Sequence, residues 1–394
     1  MYNSLNNKKI GCVIAYKRNH TNYGTALVGY SLLTVLQELG CQVEVINYIK
    51  KFTLRQKIVW VINALRCGMG HQIYKRYKNR RDINNNQGYR ENIKVRECAV
   101  ESFKEKRLLP LFKKYEGYAA LCEGAKQYAA VIVGSDQVWL PQGLPTKFFN
   151  LRFVPDNVKK ISYASSFGVS SIPKFQHKAT GDYLNRFYKI SVRELSGKKI
   201  VEDLSNQTAQ VVADPTLLLD RKQWEKETEE SKVQVNEPYI FCYFLGSNPV
   251  ARKAASDLKE KTGYKIVALR HMDEYVKEDE TFGDESPYNI DPIDFLKLIR
   301  DAQYVCTDSF HCTAFSVQFQ RRFMTFYRFS ETNRTGRNSR IDSLLSTLGI
   351  GREHVYQGDI SKIDNPIKWH DTEKRLETLR MQSIDFLKEA LNDL

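Results

Sequence analysis

Short buried strands alternate with amphipathic helices through this sequence, and that alternation constrains the fold more than any other feature. The second half is the more regular, with strands predicted at 239–245, 265–269, 304–307 and 323–327. Helices are predicted at 250–261, 292–301 and 341–348. A further helix is predicted directly after the third of these strands. Repeated strand–helix order predicts a parallel sheet.

The first half repeats the pattern less regularly. Strands are predicted at 9–15, 42–48, 129–133, 159–164, 189–192 and 210–213. Between the first two, a helix from about residue 25 to 39 has an apolar face at helical spacing, and Gly40 suits its C-terminal end. We therefore predict an α/β protein with two Rossmann-like domains, whose parallel sheets face a cleft.

Breaks in this pattern give the predicted domain limits. The first domain spans 1–214 and contains a helical basic insertion at about 50–125. A charged, strand-free linker is predicted at 215–238, followed by the second domain at 239–372. A last amphipathic helix, 373–394, is predicted to cross back to the first domain.

Composition excludes several classes of protein. A chain of 394 residues with 42% hydrophobic residues is large enough for two cores and too apolar to be disordered. The eight cysteines show neither CxxC pairs nor metal-ligand spacing with histidine, so we expect a reduced, cytosolic protein with no metal site. We expect no signal peptide and no membrane-spanning helix.

The net charge of +14 is concentrated in one stretch. Between residues 50 and 81 there are ten Lys or Arg and no Asp or Glu, beside the apolar run 58–65 that contains Trp60. Three interpretations remain open at this stage. The stretch lies on an anionic membrane, or it packs its apolar face on the domain, or it binds nucleic acid. The third lacks any accompanying recognition motif.

The segment 302–319 combines a buried strand, a tight polar turn and a helix, with His311 in the first helical turn. Free N–H groups and the helix dipole make such a start suitable for phosphate or carboxylate. A capped helix with an incidental polar turn is the alternative. The loop 16–24 after the first strand has no GxGxxG pattern, so a dinucleotide cofactor is poorly supported.

Six segments together resemble the polysaccharide pyruvyl transferase family. In chain order they are Asn-Tyr-Gly-Thr-Ala-Leu at 22–27, Val-Gly-Ser-Asp-Gln-Val-Trp at 133–139, Ser-Tyr-Ala-Ser-Ser-Phe-Gly at 162–168, Val-Arg-Glu at 192–194, Asp-Pro-Thr-Leu-Leu at 214–218 and Thr-Asp-Ser-Phe-His at 307–311. The resemblance implies a GT-B-like fold, phosphoenolpyruvate as donor and a pair of sugar hydroxyls as acceptor. The product it implies is a cyclic pyruvate ketal.

The resemblance assigns roles by position to two residues, Arg193 as a donor contact and His311 as a phosphate ligand or proton shuttle. The other expected site residues follow from their chemistry and from their positions beside these motifs. We expect catalysis by His311, Arg193 and Asp136. The donor is expected to contact Arg193, Ser309, His311, Cys312, Arg337 and Arg340. The acceptor is expected to contact Asn22, Tyr23, Gly24, Ser135 and Asp136.

The sequence departs from the family pattern at two of these positions. Some members have arginine where this chain has Ser309, and glycine often stands at the place of Cys312. Another arginine is a candidate to substitute for the first, and three lie after the last strand of the second sheet, namely Arg334, Arg337 and Arg340. The alternative for each of them is a place in a loop whose charges face solvent.

Two acidic residues have alternative interpretations. Glu194 either caps the following helix, which we favour, or orients Arg193. Asp136 is either the base that serves the acceptor or a turn-forming aspartate.

The expected partners follow from the same resemblance. Phosphoenolpyruvate is a substrate, and no cofactor is expected. Acceptors in the family are often assembled on polyprenyl diphosphate, so we expect peripheral contact with the inner face of the cytoplasmic membrane and no binding of nucleic acid. A GT-B glycosyltransferase that uses a nucleotide sugar is the alternative function.

Overall fold

The structure is a computed structural model that describes residues 8–51, 53–328 and 339–392. It contains two parallel sheets, whose carboxyl edges lie on either side of one cavity. The predicted α/β class is confirmed.

The first sheet has seven strands in the order β3-β2-β1-β4-β5-β6-β7, all paired in parallel. The strands are β1 (Lys9–Val13), β2 (Gln42–Ile49), β3 (Phe112–Glu116), β4 (Ala130–Val133), β5 (Lys159–Ser165), β6 (Lys189–Val192) and β7 (Gln210–Val211). The strand order reverses between β1 and β4, which is the position where open α/β sheets bind ligands.

Seven helices accompany this sheet. They are α1 (Tyr23–Glu38), α2 (Leu54–Arg66), α3 (Gly70–Asn85), α4 (Gln87–Arg107), α5 (Tyr118–Ala125), α6 (His177–Leu184) and α7 (Leu195–Leu204). The insertion predicted as helical at about 50–125 contains three long helices and also an unpredicted strand, β3. This edge strand has the sequence Phe-Lys-Lys-Tyr-Glu, and only Tyr115 is buried, so it lacks the apolar run of an interior strand.

The second sheet has four parallel strands in the order β11-β10-β8-β9. They are β8 (Tyr239–Tyr243), β9 (Lys265–Ala268), β10 (Tyr304–Thr307) and β11 (Arg322–Thr325). Its helices are α9 (Pro249–Thr262), α10 (Pro292–Asp301), α11 (Phe310–Gln318) and α12 (Ser339–Thr347).

Part of the segment predicted as a linker, 215–238, packs against helices of both halves of the chain. Its helix α8 (Arg221–Thr228) buries Trp224 completely, and the indole contacts Tyr30 on one side and Phe315 on the other. The last helix, α13 (Trp369–Asn392), contacts the first half of the chain, where Ser383 Oγ accepts from Ala213 N at 2.8 Å. The exact domain limits stay a prediction.

Two buried side chains of the first half anchor the second. Tyr23 stacks on Phe295 with ring centroids 4.8 Å apart and donates its hydroxyl to the Ile290 carbonyl at 3.1 Å. Arg96 donates to the carbonyls of Tyr288, at 2.7 Å, and Pro287, at 2.8 Å. These contacts fix the two carboxyl edges relative to each other.

Candidate active site

A cavity of about 390 Å³ lies between the carboxyl edges of the two sheets. The first half contributes residues after β1, the start of α1 and residues after β4, including Asn22 and Asp136. The second half contributes the first turn of α11, from Ser309 to His311, together with Arg340. The cavity therefore lies at the point where the first sheet reverses its strand order.

His311 lies in the first turn of α11 and faces this cavity. Its side chain is 12% exposed, its Nε2 lies 3.9 Å from Asp214 Oδ2, and Nε2 has no hydrogen-bond partner. Burial lowers the pKa of the imidazole, although the carboxylates of Asp214 and Asp136 oppose that effect. His311 is therefore a neutral side chain at neutral pH, and two carboxylates are placed to stabilise its protonated form.

Gly24, in the first turn of α1, makes room for the imidazole. A Cβ atom at this position would lie 2.2 Å from His311 Nδ1, far inside van der Waals contact. Since Gly24 comes from the first half and His311 from the second, this close approach fixes the ring against the opposite side of the cavity.

We expect Gly24→Ala to displace the His311 ring and to lower kcat/KM by roughly ten- to a hundredfold, because misplacement of a reacting group by about 1 Å carries a penalty of that order. The helix itself should tolerate alanine, which is the better helix former. Gly29→Ala is the matched control in the same helix, since its Cβ would meet only the end of the Ile14 side chain at 3.0 Å. Equal kinetics for both variants would contradict the contact.

Arg193 follows β6 and forms a buried ion pair, with Nη1 at 2.7 Å from Asp214 Oδ2. Its guanidinium carbon lies 4.7 Å from the centre of the Phe310 ring, and its Nε and Nη2 atoms have no hydrogen-bond partner. Phe310 lines the cavity but Arg193 does not. The guanidinium therefore has unused donors directly behind the cavity wall.

Asp214 joins Arg193 and His311 to the first sheet. Its Oδ1 accepts from Thr216 N at 3.1 Å and from Thr216 Oγ1 at 2.8 Å, and its Oδ2 accepts from Ser135 Oγ at 3.2 Å. Burial alone would raise the pKa of this carboxyl, but Arg193 and its other partners outweigh burial and lower it. Asp214 is therefore a carboxylate at neutral pH.

Asp136 follows β4 with a left-handed backbone, φ +87°. Its Oδ1 accepts from Gln137 N at 2.8 Å, and its Oδ2 accepts from Thr25 Oγ1 at 3.0 Å. Burial opposes ionisation, but Arg193 and His311 lower the pKa of the carboxyl below its usual value. Asp136 lines the cavity as an anion, and its role as base stays a prediction.

Arg340, in the first turn of α12, places a cation on the cavity wall. With the Gln137 amide oriented so that its oxygen faces Arg340, this oxygen accepts from Arg340 Nη2 at 2.8 Å and from Arg340 Nη1 at 3.1 Å. Burial and the charge of Arg193 lower its pKa to about 10, so it stays protonated at neutral pH. Arg334 and Arg337 lie outside the described residues.

Residues 22–328, well over half of the chain, match the family model for polysaccharide pyruvyl transferase. The chain belongs to the polysaccharide pyruvyl transferase family. It is therefore a transferase of polysaccharide biosynthesis, and the predicted family is confirmed. No curated protein matches the chain in sequence.

Solved structures resemble this pyruvyl transferase in fold at low sequence identity. A UDP-GlcNAc 2-epimerase from Neisseria meningitidis, bound to UDP-GlcNAc, has a TM-score of 0.50 and 9% identity over 98% of this chain and 100% of that chain. The UDP-GlcNAc 2-epimerase from Methanocaldococcus jannaschii, in complex with UDP-GlcNAc and UDP, has a TM-score of 0.46 and 13% identity over 94% of this chain and 92% of that chain. The first likeness concerns the fold alone, and it confirms the predicted GT-B-like arrangement.

Several residues expected to contact the acceptor do not line the cavity of the transferase. Tyr23 is fully buried in the contact between the two halves, and Ser135 donates its hydroxyl to Asp214. Gly24 packs against His311. Asn22 does line the cavity, although its side chain also caps α1 by accepting from Thr25 N at 3.2 Å. The residues at 22–24 therefore serve mainly to pack the two halves of the chain against each other.

Of the residues at the start of α11 that were expected to contact the donor, Ser309 lines the cavity and Cys312 does not. Ser309 lines the cavity and caps the helix, with its Oγ accepting from Cys312 N at 3.4 Å. Cys312 has its side chain in the hydrophobic core and its N–H occupied by that cap. The expectation that Cys312 contacts the donor is therefore wrong in this structure.

The Glu194 side chain does not cap α7, which contradicts the interpretation we favoured from the sequence. Instead Oε1 accepts from Ser166 Oγ at 2.6 Å and lies 3.6 Å from Arg193 Nε. The alternative, that Glu194 orients Arg193, fits these contacts.

Sequence reasoning missed many cavity residues of the transferase, among them the ionisable side chains of His20, Lys104 and Arg328. Arg328 follows β11, so the argument from polar residues at strand ends could have found it. Lys104 lies on α4 and donates to the carbonyls of Lys17 and His20, at 3.1 and 3.0 Å. No local sequence pattern predicts these contacts. No group of His, Cys, Asp or Glu within the described residues is placed to hold a metal ion.

Asp308, which follows β10, is a buried carboxyl whose pKa burial raises to about 6. Its Oδ1 accepts from Leu245 N at 2.7 Å and its Oδ2 has no hydrogen-bond partner. Because the folded-state pKa lies above the unfolded value, protonation stabilises the fold, and this contribution is lost as the pH rises through about 6.

We therefore expect Asp308→Asn to raise the free energy of unfolding by ~1–3 kcal/mol at pH above 7, with the gain shrinking as the pH falls below 6. Urea unfolding at several pH values measures it. Asp214→Asn is the control of opposite sign, since its lowered pKa means that the carboxylate stabilises the fold. A loss of stability in Asp308→Asn at neutral pH would contradict the expectation.

Proposed function

We propose that this transferase moves the enolpyruvyl group of phosphoenolpyruvate onto two hydroxyls of a sugar in a surface-polysaccharide precursor. The products are a cyclic pyruvate ketal and phosphate. The observation that carries the proposal is the cavity itself, which a neutral His311 and the cation of Arg340 line, with the guanidinium of Arg193 behind its wall. A small donor with two anionic groups fits that combination.

The two anionic groups of the donor match two features of the second half. Arg340 presents a guanidinium on the cavity wall, and a guanidinium binds carboxylate or phosphate in bidentate geometry. The first turn of α11 offers backbone N–H groups and the positive end of its dipole. Arg340 thereby takes the role of the arginine that some family members have at the position of Ser309.

The proposed reaction needs one proton delivered and two removed. His311 protonates C3 of the donor, and C2 gains oxocarbenium character. A sugar hydroxyl adds to C2 and loses its proton, the C2–O bond to phosphate breaks, and the second hydroxyl adds with loss of its own proton. One proton returns to His311, and the other leaves with phosphate or solvent. Proton relay by one histidine suits general acid–base catalysis.

The cavity electrostatics support this use of His311. Binding of an anionic donor beside the imidazole raises its pKa, because a nearby negative charge favours the protonated form. Asp214, 3.9 Å from Nε2, stabilises the imidazolium once it forms. In this proposal Asp136, which also lines the cavity, accepts a proton from the acceptor hydroxyl.

The acceptor in this proposal is a glycan on polyprenyl diphosphate at the inner face of the cytoplasmic membrane. Asn22 and Asp136 form its side of the cavity, across from the α11 turn. Peripheral contact with the membrane belongs to the same proposal, and nucleic acid has no part in it.

A glycosyltransferase that uses a nucleotide sugar is the second candidate, because the epimerase with a similar fold was solved with UDP-GlcNAc bound. Thermal unfolding with phosphoenolpyruvate and, separately, with UDP-GlcNAc distinguishes them. A ligand at a hundred times its Kd stabilises the folded state by about 2.7 kcal/mol. We expect phosphoenolpyruvate alone to raise the Tm of the wild type, and to do so less for Arg340→Gln.

Stabilisation by the nucleotide sugar only would contradict the proposal. The product gives a second readout. Mass spectrometry of a lipid-linked glycan incubated with enzyme and phosphoenolpyruvate should show a gain equal to one pyruvic acid less one water.

A further inference from the structure

Helix α2 carries an apolar ridge that faces solvent. Its members are Leu54, Ile58, Val61, Ile62 and Leu65, with exposures of 74, 51, 43, 51 and 54%. Their spacing of three and four residues places them on one face of the helix. Exposure of this many large apolar side chains in one place is unusual for a surface that meets only water.

The opposite side of α2 holds the helix on the domain. Asn63 Nδ2 donates to the carbonyls of Pro141 and Gln142 at 3.3 Å, and Gln176 Nε2 donates to Asn63 Oδ1 at 2.8 Å. Ala64 beside it is buried. The ridge therefore points outward, which contradicts the interpretation that the apolar face of this stretch packs on the domain.

Positive charge flanks the ridge on α2 itself and continues along the chain in α3, and these basic side chains form what we call the basic rim. At ~100° per residue, Arg55 and Lys57 lie on either side of it. Helix α3 adds the exposed side chains Tyr74, Arg76, Tyr77, Lys78, Arg80 and Arg81. No acidic residue occurs between positions 50 and 81. Lys75 of the same helix is paired with Glu274 at 2.7 Å and is not part of this rim.

We propose that the α2 ridge and its basic rim dock on the surface of an anionic lipid bilayer. An apolar strip between cations buries hydrocarbon at the headgroup boundary while its charges meet lipid phosphates. Nucleic acid would leave the apolar strip exposed, and a second copy of the chain would bring two basic rims together. Among the described helices none is long and apolar enough to cross a bilayer, so the contact is interfacial.

The position of α2 connects this surface to the active site. The helix is anchored on the turn at 141–142, and Val138 and Phe149, on either side of that turn, line the cavity. An enzyme docked through α2 thus holds one wall of its cavity close to the membrane. This inference deepens the proposed function and rests on it only for the lipid-linked acceptor.

Sedimentation with vesicles tests the surface. The probe vesicles are phosphatidylcholine alone and phosphatidylcholine with phosphatidylglycerol. Wild type should bind the anionic vesicles, and Ile58→Asp/Leu65→Asp should lower the partition coefficient at least tenfold. The matched control is Val250→Asp/Met381→Asp, because these side chains are exposed to similar extents, 58 and 52%, on other helices. It should bind like wild type.

Either of two results would overturn the inference. One is that the wild type fails to bind anionic vesicles, and the other is that both double variants bind them as the wild type does. Light scattering without lipid adds a third, since a wild-type dimer that Ile58→Asp/Leu65→Asp converts to monomer would assign the ridge to a second copy. Vesicle binding needs no turnover. If the proposed function fails, phosphoenolpyruvate does not bind while vesicle binding and its loss in the ridge variant persist.

Discussion

Replacing His311 by glutamine should leave the transferase folded and lower its kcat by ~10²- to 10⁴-fold, the range that general acid–base catalysis contributes. An amide can hydrogen-bond an anion, but it cannot relay a proton at neutral pH. The measurement is steady-state turnover of phosphoenolpyruvate with a saturating acceptor, together with Tm. Of the variants in the cavity, this one should have the largest effect on turnover with the smallest effect on stability.

The pH dependence of kcat/KM tests whether His311 acts as the proton donor. Because burial lowers the pKa of His311, the free enzyme is mostly deprotonated at neutral pH. If the protonated form delivers the proton to C3, kcat/KM of the wild type should rise as the pH falls toward this lowered pKa. The glutamine variant should lack that rise.

His354 provides a matched control for this substitution. It is also buried with a lowered pKa, but its ring packs against Phe323, 5.5 Å away, and it does not line the cavity. His354→Gln should therefore keep kcat within a fewfold of the wild type. A normal kcat with only a raised KM in His311→Gln would make His311 a binding residue, and the proton donor would lie elsewhere.

The parts of the fold that sequence could predict are those with local signals. Interior strands such as β10 are continuous apolar runs, and helices such as α10 have an acidic N-cap at Asp291 and a regular apolar face. The edge strand β3 escaped prediction because only one of its side chains is buried. Packing of Trp224 between the halves could not be read from a charged segment with one aromatic residue.

The active site was predictable in outline and not in its contacts. The family resemblance indicated Arg193 and His311, and Asp136 stood at a strand end. Asp136 and His311 line one cavity, and Arg193 lies behind its wall. Asp214 stood in a recognised motif, yet nothing local indicated that its carboxylate pairs with Arg193 and lies near His311. These three side chains come from β6, the turn after β7 and α11, so their relation is tertiary. For the same reason Tyr23 and Gly24 were assigned to the acceptor although they serve packing.

The second large effect is expected at Arg193. Arg193→Ala should lower the free energy of unfolding by ~3–5 kcal/mol, because it leaves the Asp214 carboxylate buried without its partner. Adding Asp214→Asn to this variant should restore much of the stability by removing that charge. Urea unfolding of the two single variants and the double variant measures the coupling between the two side chains.

Arg193→Lys separates charge from geometry. Lysine keeps the positive charge beside Asp214, but it cannot supply the unused donors Nε and Nη2 in their planar arrangement. Losing one charge-assisted hydrogen bond to the donor costs ~1.5–3 kcal/mol, or roughly ten- to a hundredfold in kcat/KM for phosphoenolpyruvate. We therefore expect a folded enzyme with strongly reduced activity.

Arg252 is the control for both substitutions, because it is also buried, pairs with a carboxylate, Asp279 at 2.6 Å, and lies 5.4 Å from the centre of a phenylalanine ring, Phe244. Unlike Arg193, it has all three nitrogens hydrogen-bonded within the protein. Arg252→Ala should cost stability as Arg193→Ala does, whereas Arg252→Lys should leave kcat/KM for phosphoenolpyruvate near the wild-type value. If Arg193→Lys keeps full kcat/KM as well, Arg193 supports the fold and makes no contact with the donor. If both lysine variants lose activity equally, the loss reflects a general sensitivity to changes in buried ion pairs. Only a loss confined to Arg193→Lys places its free donors in the reaction.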